Sequence, residues 1–161
     1  MPYACAHSPT YLFIVPGALL AAIGAFASFA VLAHIALLGR SWDIHALIGG
    51  ALLTIIGVQV LALGLCAHAY GTYFMGEKDA WFDRMRARFR LEHGLMLGGA
   101  VALLGVAMVA GVLVEWIHAG FGGLSQERVA IAAATLVVVG IQIAFSSFLL
   151  SILGLRRREG S

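Results

Sequence analysis

The chain has 161 residues, of which 61% are apolar and only 11% charged, with a formal net charge of +2. Soluble domains carry about 25% charged residues, so this composition predicts an integral membrane protein. A net charge so small, with no basic stretch interleaved with aromatics away from an apolar run, argues against nucleic acid as a partner.

Residues 1–10 form a short N-terminus without Lys or Arg. The apolar run behind it lacks the basic lead and the cleavage site of a signal peptide, and reads as a retained helix. That first span covers about Tyr11 to Leu38, with Pro16 in its opening turn, where a missing N–H is tolerated. Gly17, Ala21, Gly24 and Ser28 form a small-residue face that lets a second helix approach closely. Ser41 is a candidate N-cap for a second span, about Ile44 to Ala69, and Asp43 suits the positive end of that helix. Gly50, Gly57, Gly64 and Gly71 recur every seventh residue along it, a packing seam in lipid. Gln59 lies about 200° around the helix from Gly57, away from this seam.

Half of the charged residues fall in a linker, residues 71–93. Read as a helix over 77–90, it gathers Trp81, Phe82, Met85 and Phe89 within about 100° of arc. Arg84, Arg86, Arg88 and Arg90 flank that arc, as in an amphipathic helix lying in the headgroup plane. The third span runs from about Gly94 to His118, with Gly98, Ala102 and Gly105 on a small face. After a loop with Ser125 as N-cap candidate and Glu127 in the first turn, the fourth span covers about Arg128 to Gly154. A basic tail, 155–161, closes the chain. Each run exceeds the twenty or so residues needed to cross a bilayer.

With four spans, both termini and the linker share one side. That side holds Lys78, the four linker arginines and Arg156, Arg157 and Arg158, whereas the other holds only Arg40 and Arg128. The positive-inside rule then places both termini in the cytoplasm. Cys5 and Cys66 fall toward that side, where they are free thiols rather than a disulfide.

The fold expected is therefore all-α, with a first hairpin over 11–70 and a second over 94–154. The hairpins read as an internal repeat. His34, Gly39, Ser41 and Asp43 match His118, Gly123, Ser125 and Glu127 at an offset of 84, and Gly57-Val58-Gln59 matches Gly140-Ile141-Gln142 at 83. Both copies begin on the same side, so they are expected to be parallel repeats about a pseudo-two-fold axis along the membrane normal.

Polar groups inside spans are functional candidates. Gln59 and Gln142 sit near mid-membrane, where they either fix helix register or line a groove for a lipid. His34, Asp43, His45, Glu115 and His118 cluster at the outer boundary. Their spacing matches no metal motif, and no metal site is assigned. Haem or quinone binding through these histidines is the alternative reading, and a small transporter is a third. His68 and His93 stand at the inner boundary. The linker arginines suit either ordinary anchoring or an anionic lipid or lipid-linked phosphate.

Several segments resemble the C-terminal membrane region of bacterial family 2 glycosyltransferases, the polyprenyl-phosphate (dolichyl-phosphate-like) hexose synthases. They are residues 8–17 (SPTYLFIVPG), Asp43-Ile44-His45, Gly57-Val58-Gln59, residues 91–95 (LEHGL), Gly120-Phe121-Gly122 and, most specifically, residues 145–155 (FSSFLLSILGL). The resemblance implies sugar transfer from a nucleotide donor to polyprenyl phosphate, with a divalent metal held by acidic residues of a cytoplasmic domain. No Asp-x-Asp occurs in this sequence, so no catalytic residue is carried over and no cofactor is expected in this chain. The chain alone is expected to catalyse nothing. The implied role is a membrane anchor that binds polyprenyl phosphate and presents it to a separate or preceding catalytic domain, with homo-oligomerisation open.

Overall fold

The computed structural model describes residues 9–33, 43–74, 91–118, 120 and 126–155. The described residues form four helices: α1 (Pro9–Leu32), α2 (Ile44–Phe74), α3 (Leu91–His118) and α4 (Glu127–Leu155). All four are long and apolar enough to cross a membrane. In hydrocarbon every backbone N–H and C=O must find its partner within the element, which makes helices of these apolar runs.

The helix boundaries depart from expectation in instructive ways. α1 begins at Pro9, so Pro16 sits in the helix interior rather than its opening turn. Pro16 removes one i→i−4 bond there, a defect that neighbouring helices make tolerable in a membrane. α2 continues through Gly71 to Phe74, past the expected end of the first hairpin. Its N-cap is Asp43, not Ser41: Ala46 N–H donates to the Asp43 carbonyl at 2.9 Å, and Ile44 N–H to Asp43 Oδ1 at 2.8 Å. The corresponding position before α4 is Gln126, whose carbonyl accepts from Ala130 N–H, and not Ser125. Ser41, Ser125 and the amphipathic segment 77–90 lie outside the described residues.

Within each hairpin the helices are antiparallel and meet through small residues. A Cβ added to Gly57 would lie 2.2 Å from Ala21 N, and one on Gly24 would lie 2.4 Å from Thr54 N. In the second hairpin a Cβ on Gly140 would lie 2.4 Å from Ala102 N, and one on Gly98 2.6 Å from Ala144 N. Glycine is required at these points because backbone meets backbone. The contacts correspond one to one. Gly17, Ala21 and Gly24 of α1 match Gly98, Ala102 and Gly105 of α3 at an offset of 81, while Thr54, Gly57 and Leu61 of α2 match Val137, Gly140 and Ala144 of α4 at 83. The offset of 84 read across the outer loops therefore does not extend into the first helix of each pair.

The hairpins join through α2 and α4, with α3 packed on α4 and α1 on α2. Asp43 faces Arg128 at the starts of α2 and α4, and Gln59 meets Gln142 about four turns further along both. Two contacts in the same order mean that α2 and α4 run parallel.

The two hairpins are not exposed alike. On α2, Leu52, Ile56, Gln59 and Leu63 are exposed, whereas their counterparts 83 residues on, Thr135, Val139, Gln142 and Ser146, are half-buried. On α4 the pattern inverts: Val138, Ile141, Phe145 and Leu149 are exposed, while Ile55, Val58, Ala62 and Cys66 of α2 are half-buried. A two-fold axis would bring the same face of both helices together. Here the rows differ in exposure, although the equivalent residues Gln59 and Gln142 meet.

Candidate functional site

Polar groups occupy three levels of the helices. At mid-span, Gln142 Nε2 donates to Gln59 Oε1 at 2.6 Å across the α2–α4 contact. Gln142 Oε1 is buried and has no partner among the described residues. The hydroxyls nearby are committed to their own helices: Thr54 Oγ1 donates to the Gly50 carbonyl at 2.8 Å, Thr135 Oγ1 to that of Ile131 at 2.8 Å, and Ser147 Oγ to that of Ile143 at 2.7 Å. Such back-bonding satisfies these three hydroxyls in hydrocarbon.

At the starts of α2 and α4, Asp43 lies 3.9 Å from His45 Nδ1 and 4.0 Å from Arg128 Nη2. Gln126 Nε2 donates to the Glu115 carboxylate, tying the end of α3 to the start of α4. Of the expected outer cluster, the structure thus joins Asp43 with His45 and gives Glu115 a different partner, Gln126. His118 is exposed at the end of α3, and His34 lies outside the described residues. No three His, Cys, Asp or Glu side chains gather as a metal-binding group among the described residues. A guanidinium beside Asp43 also competes with any cation there. The geometry is that of a clasp between hairpins. Sequence reading counted Arg128 only as a topology marker and passed over Gln126. The available signal was that Asp43 and Arg128 both open the second helix of a hairpin, which sets them level once those helices run parallel.

Toward the end of α2, His68 is buried, 4% exposed. It lies one turn beyond Gly64, the glycine whose Cβ would meet Phe13 and Ile14 of α1. Cys66 is a free thiol, and Glu92 and His93 are exposed at the start of α3. Arg84, Arg86, Arg88 and Arg90, the expected headgroup-binding residues, lie outside the described residues.

Residues 65–154, more than half of the chain, match the glycosyltransferase family 2 C-terminal transmembrane region. The chain belongs to this family. The match covers the C-terminal end of α2, all of α3 and nearly all of α4. The chain is also 33% identical over 148 residues to Agl6 of Haloferax volcanii, a hexosyltransferase of low-salt glycan biosynthesis. That alignment takes in 92% of this chain and 36% of the relative, so the chain spans little more than a third of the relative's length. No solved structure matches. The chain is thus a multi-pass membrane module of the family 2 glycosyltransferase type, as the resemblance implied.

Proposed function

We propose that this module holds a polyprenyl-phosphate carrier in the membrane and presents its phosphate, at the cytoplasmic face, to a family 2 catalytic domain. The family match over 65–154 carries this reading, and the hexosyltransferase relative supports a sugar as the group transferred. The cationic stretch between the hairpins, with Arg84, Arg86, Arg88 and Arg90, supplies the chemistry, since guanidinium forks pair with phosphate and basic juxtamembrane segments favour anionic headgroups. The excess of Lys and Arg on that side supports cytoplasmic termini in the cell membrane. The shared seam contacts support two copies of one hairpin unit. The contact of Asp43 with Arg128 ties the start of α2 to the start of α4 and so supports one register for both hairpins.

Any divalent metal belongs in this reading to the catalytic domain. The test is reconstitution. Vesicles containing this chain and polyprenyl phosphate should show no hexose transfer from a nucleotide sugar. Adding a family 2 catalytic domain should then give faster transfer than in vesicles without the chain. Equal rates with and without it would refute the presenting role.

A further inference from the structure

The seam between α3 and α4 changes character at the end where the linker enters α3. At Gly98, Gly105 and Gly140 an added Cβ would run first into a backbone nitrogen of the facing helix. At Gly94 it would instead lie 2.2 Å from Ser147 Oγ and 2.8 Å from Ser147 Cβ, both side-chain atoms. The first hairpin makes this contact the other way round, for there Gly64 of α2 receives Phe13 and Ile14 of α1. By the offsets of 81 and 83, Phe13 corresponds to Gly94 and Gly64 to Ser147. The glycine has changed helices between the two hairpins. Packing alone does not ask for this exchange, because the first hairpin closes its seam with the bulk on its first helix.

What sets the second hairpin apart at this level is the segment that leads into it. Arg84, Arg86, Arg88 and Arg90 run directly into α3 at Leu91, and Gly94 is the fourth residue after Arg90. Among the described residues α3 packs on no helix but α4. Glu92 and His93 are exposed, so the seat of Gly94 on Ser147 decides where the first turn of α3 lies. Ser147 is itself fixed, since its Oγ donates to the Ile143 carbonyl at 2.7 Å. Both residues fall inside the stretch that matches the family, residues 65–154.

We propose that Gly94 and Ser147 are positioning residues for the lipid phosphate. Their close approach fixes the first turn of α3, and with it the point from which the linker arginines reach the headgroup. The inference rests on the lipid-phosphate reading. Guanidinium forks bond a phosphate in a fixed geometry, so a shift of their attachment weakens that contact. The apolar tail of the carrier has no such geometry to lose.

The test measures the affinity of the full chain in nanodiscs for polyprenyl phosphate and, separately, for uncharged polyprenol. Gly94→Ala should weaken phosphate binding about fivefold, the worth of one basic residue near a headgroup, and leave polyprenol binding unchanged. Combining Gly94→Ala with Ser147→Gly moves the glycine to α4, as in the first hairpin, and should restore phosphate binding. Gly49→Ala is the control, with nothing within 4 Å of the added Cβ, and should change neither affinity. Unchanged phosphate affinity in Gly94→Ala, or a loss that the double variant does not restore, overturns the proposal. So does a loss of polyprenol binding in step with the phosphate, which is general damage to the fold. Replacing the four arginines by Gln in the same assay tests the underlying reading separately. If that replacement weakens phosphate binding and Gly94→Ala does not, the positioning role alone is refuted.

Discussion

Gln142 reaches across the seam between the two hairpins and donates its amide to Gln59, at 2.6 Å, midway along two helices that run in the same direction. Each residue occupies the same place in its own hairpin, 83 positions apart. In water such a bond would exchange for solvent bonds. In hydrocarbon the alternative is an unsatisfied amide, so the pair fixes both the depth and the register of the join.

The bond should appear as a coupling energy. Gln59→Leu and Gln142→Leu, alone and together, form a double-mutant cycle on unfolding in bicelles. The expected interaction is about 0.6 kcal/mol and at most about 1.7, the range of intramembrane side-chain bonds. Additive single effects would mean that the pair is not coupled.

The glycine seams predict a sharper contrast. Gly57→Leu and Gly140→Leu drive a side chain into backbone, since even a Cβ would lie 2.2 and 2.4 Å from the nearest nitrogen. Each should lose about 1–3 kcal/mol or more, the range for overpacking. Gly49 and Gly111 have nothing within 4 Å of an added Cβ. Their replacement by Ala should be neutral or stabilising by up to about 1 kcal/mol through helix propensity. Thermal unfolding in one detergent ranks all four.

Asp43 combines a cap with an ion pair, and two substitutions separate them. Asp43→Asn keeps the capping oxygen but gives up the charge that faces His45 and Arg128. Asp43 and His45 are largely exposed and Arg128 partly so, so the loss should stay below about 1 kcal/mol and shrink as salt is raised. Asp43→Ala removes the cap as well and should lose about 1 kcal/mol more. Equal effects of the two would assign Asp43 no capping role.

Much of this fold was legible because the bilayer imposes simple rules. Long apolar runs became helices, and the small residues of each seam, from Gly17 and Gly24 to Gly98 and Gly105, did mark where helices touch. Caps were less legible. Ser41 and Ser125 have the right chemistry, yet α2 begins two residues and α4 one residue later than such caps require, and Asp43 and Gln126 precede the two helices. Least legible was the join between hairpins. Angular position showed that Gln59 faces away from α1, but periodicity within one helix says nothing of which distant helix covers that side. Repeat matching suggested a two-fold relation, and the equivalent residues Gln59 and Gln142 do meet, while the rows beside them differ in exposure. The outer polar residues looked like ligands because they share a depth. Side-chain geometry instead divided them between Asp43, with His45 and Arg128, and Glu115, with Gln126.

The central claim is that the cationic linker recognises the phosphate of a lipid carrier. The most direct measurement is the affinity of the chain in nanodiscs for polyprenyl phosphate, before and after Arg84, Arg86, Arg88 and Arg90 are replaced by Gln. At about 1 kcal/mol per basic residue near an anionic headgroup, the replacement should weaken binding tenfold or more. Binding of the uncharged polyprenol should stay the same. Unchanged affinity for the phosphate would contradict the account and reduce the four arginines to markers of topology.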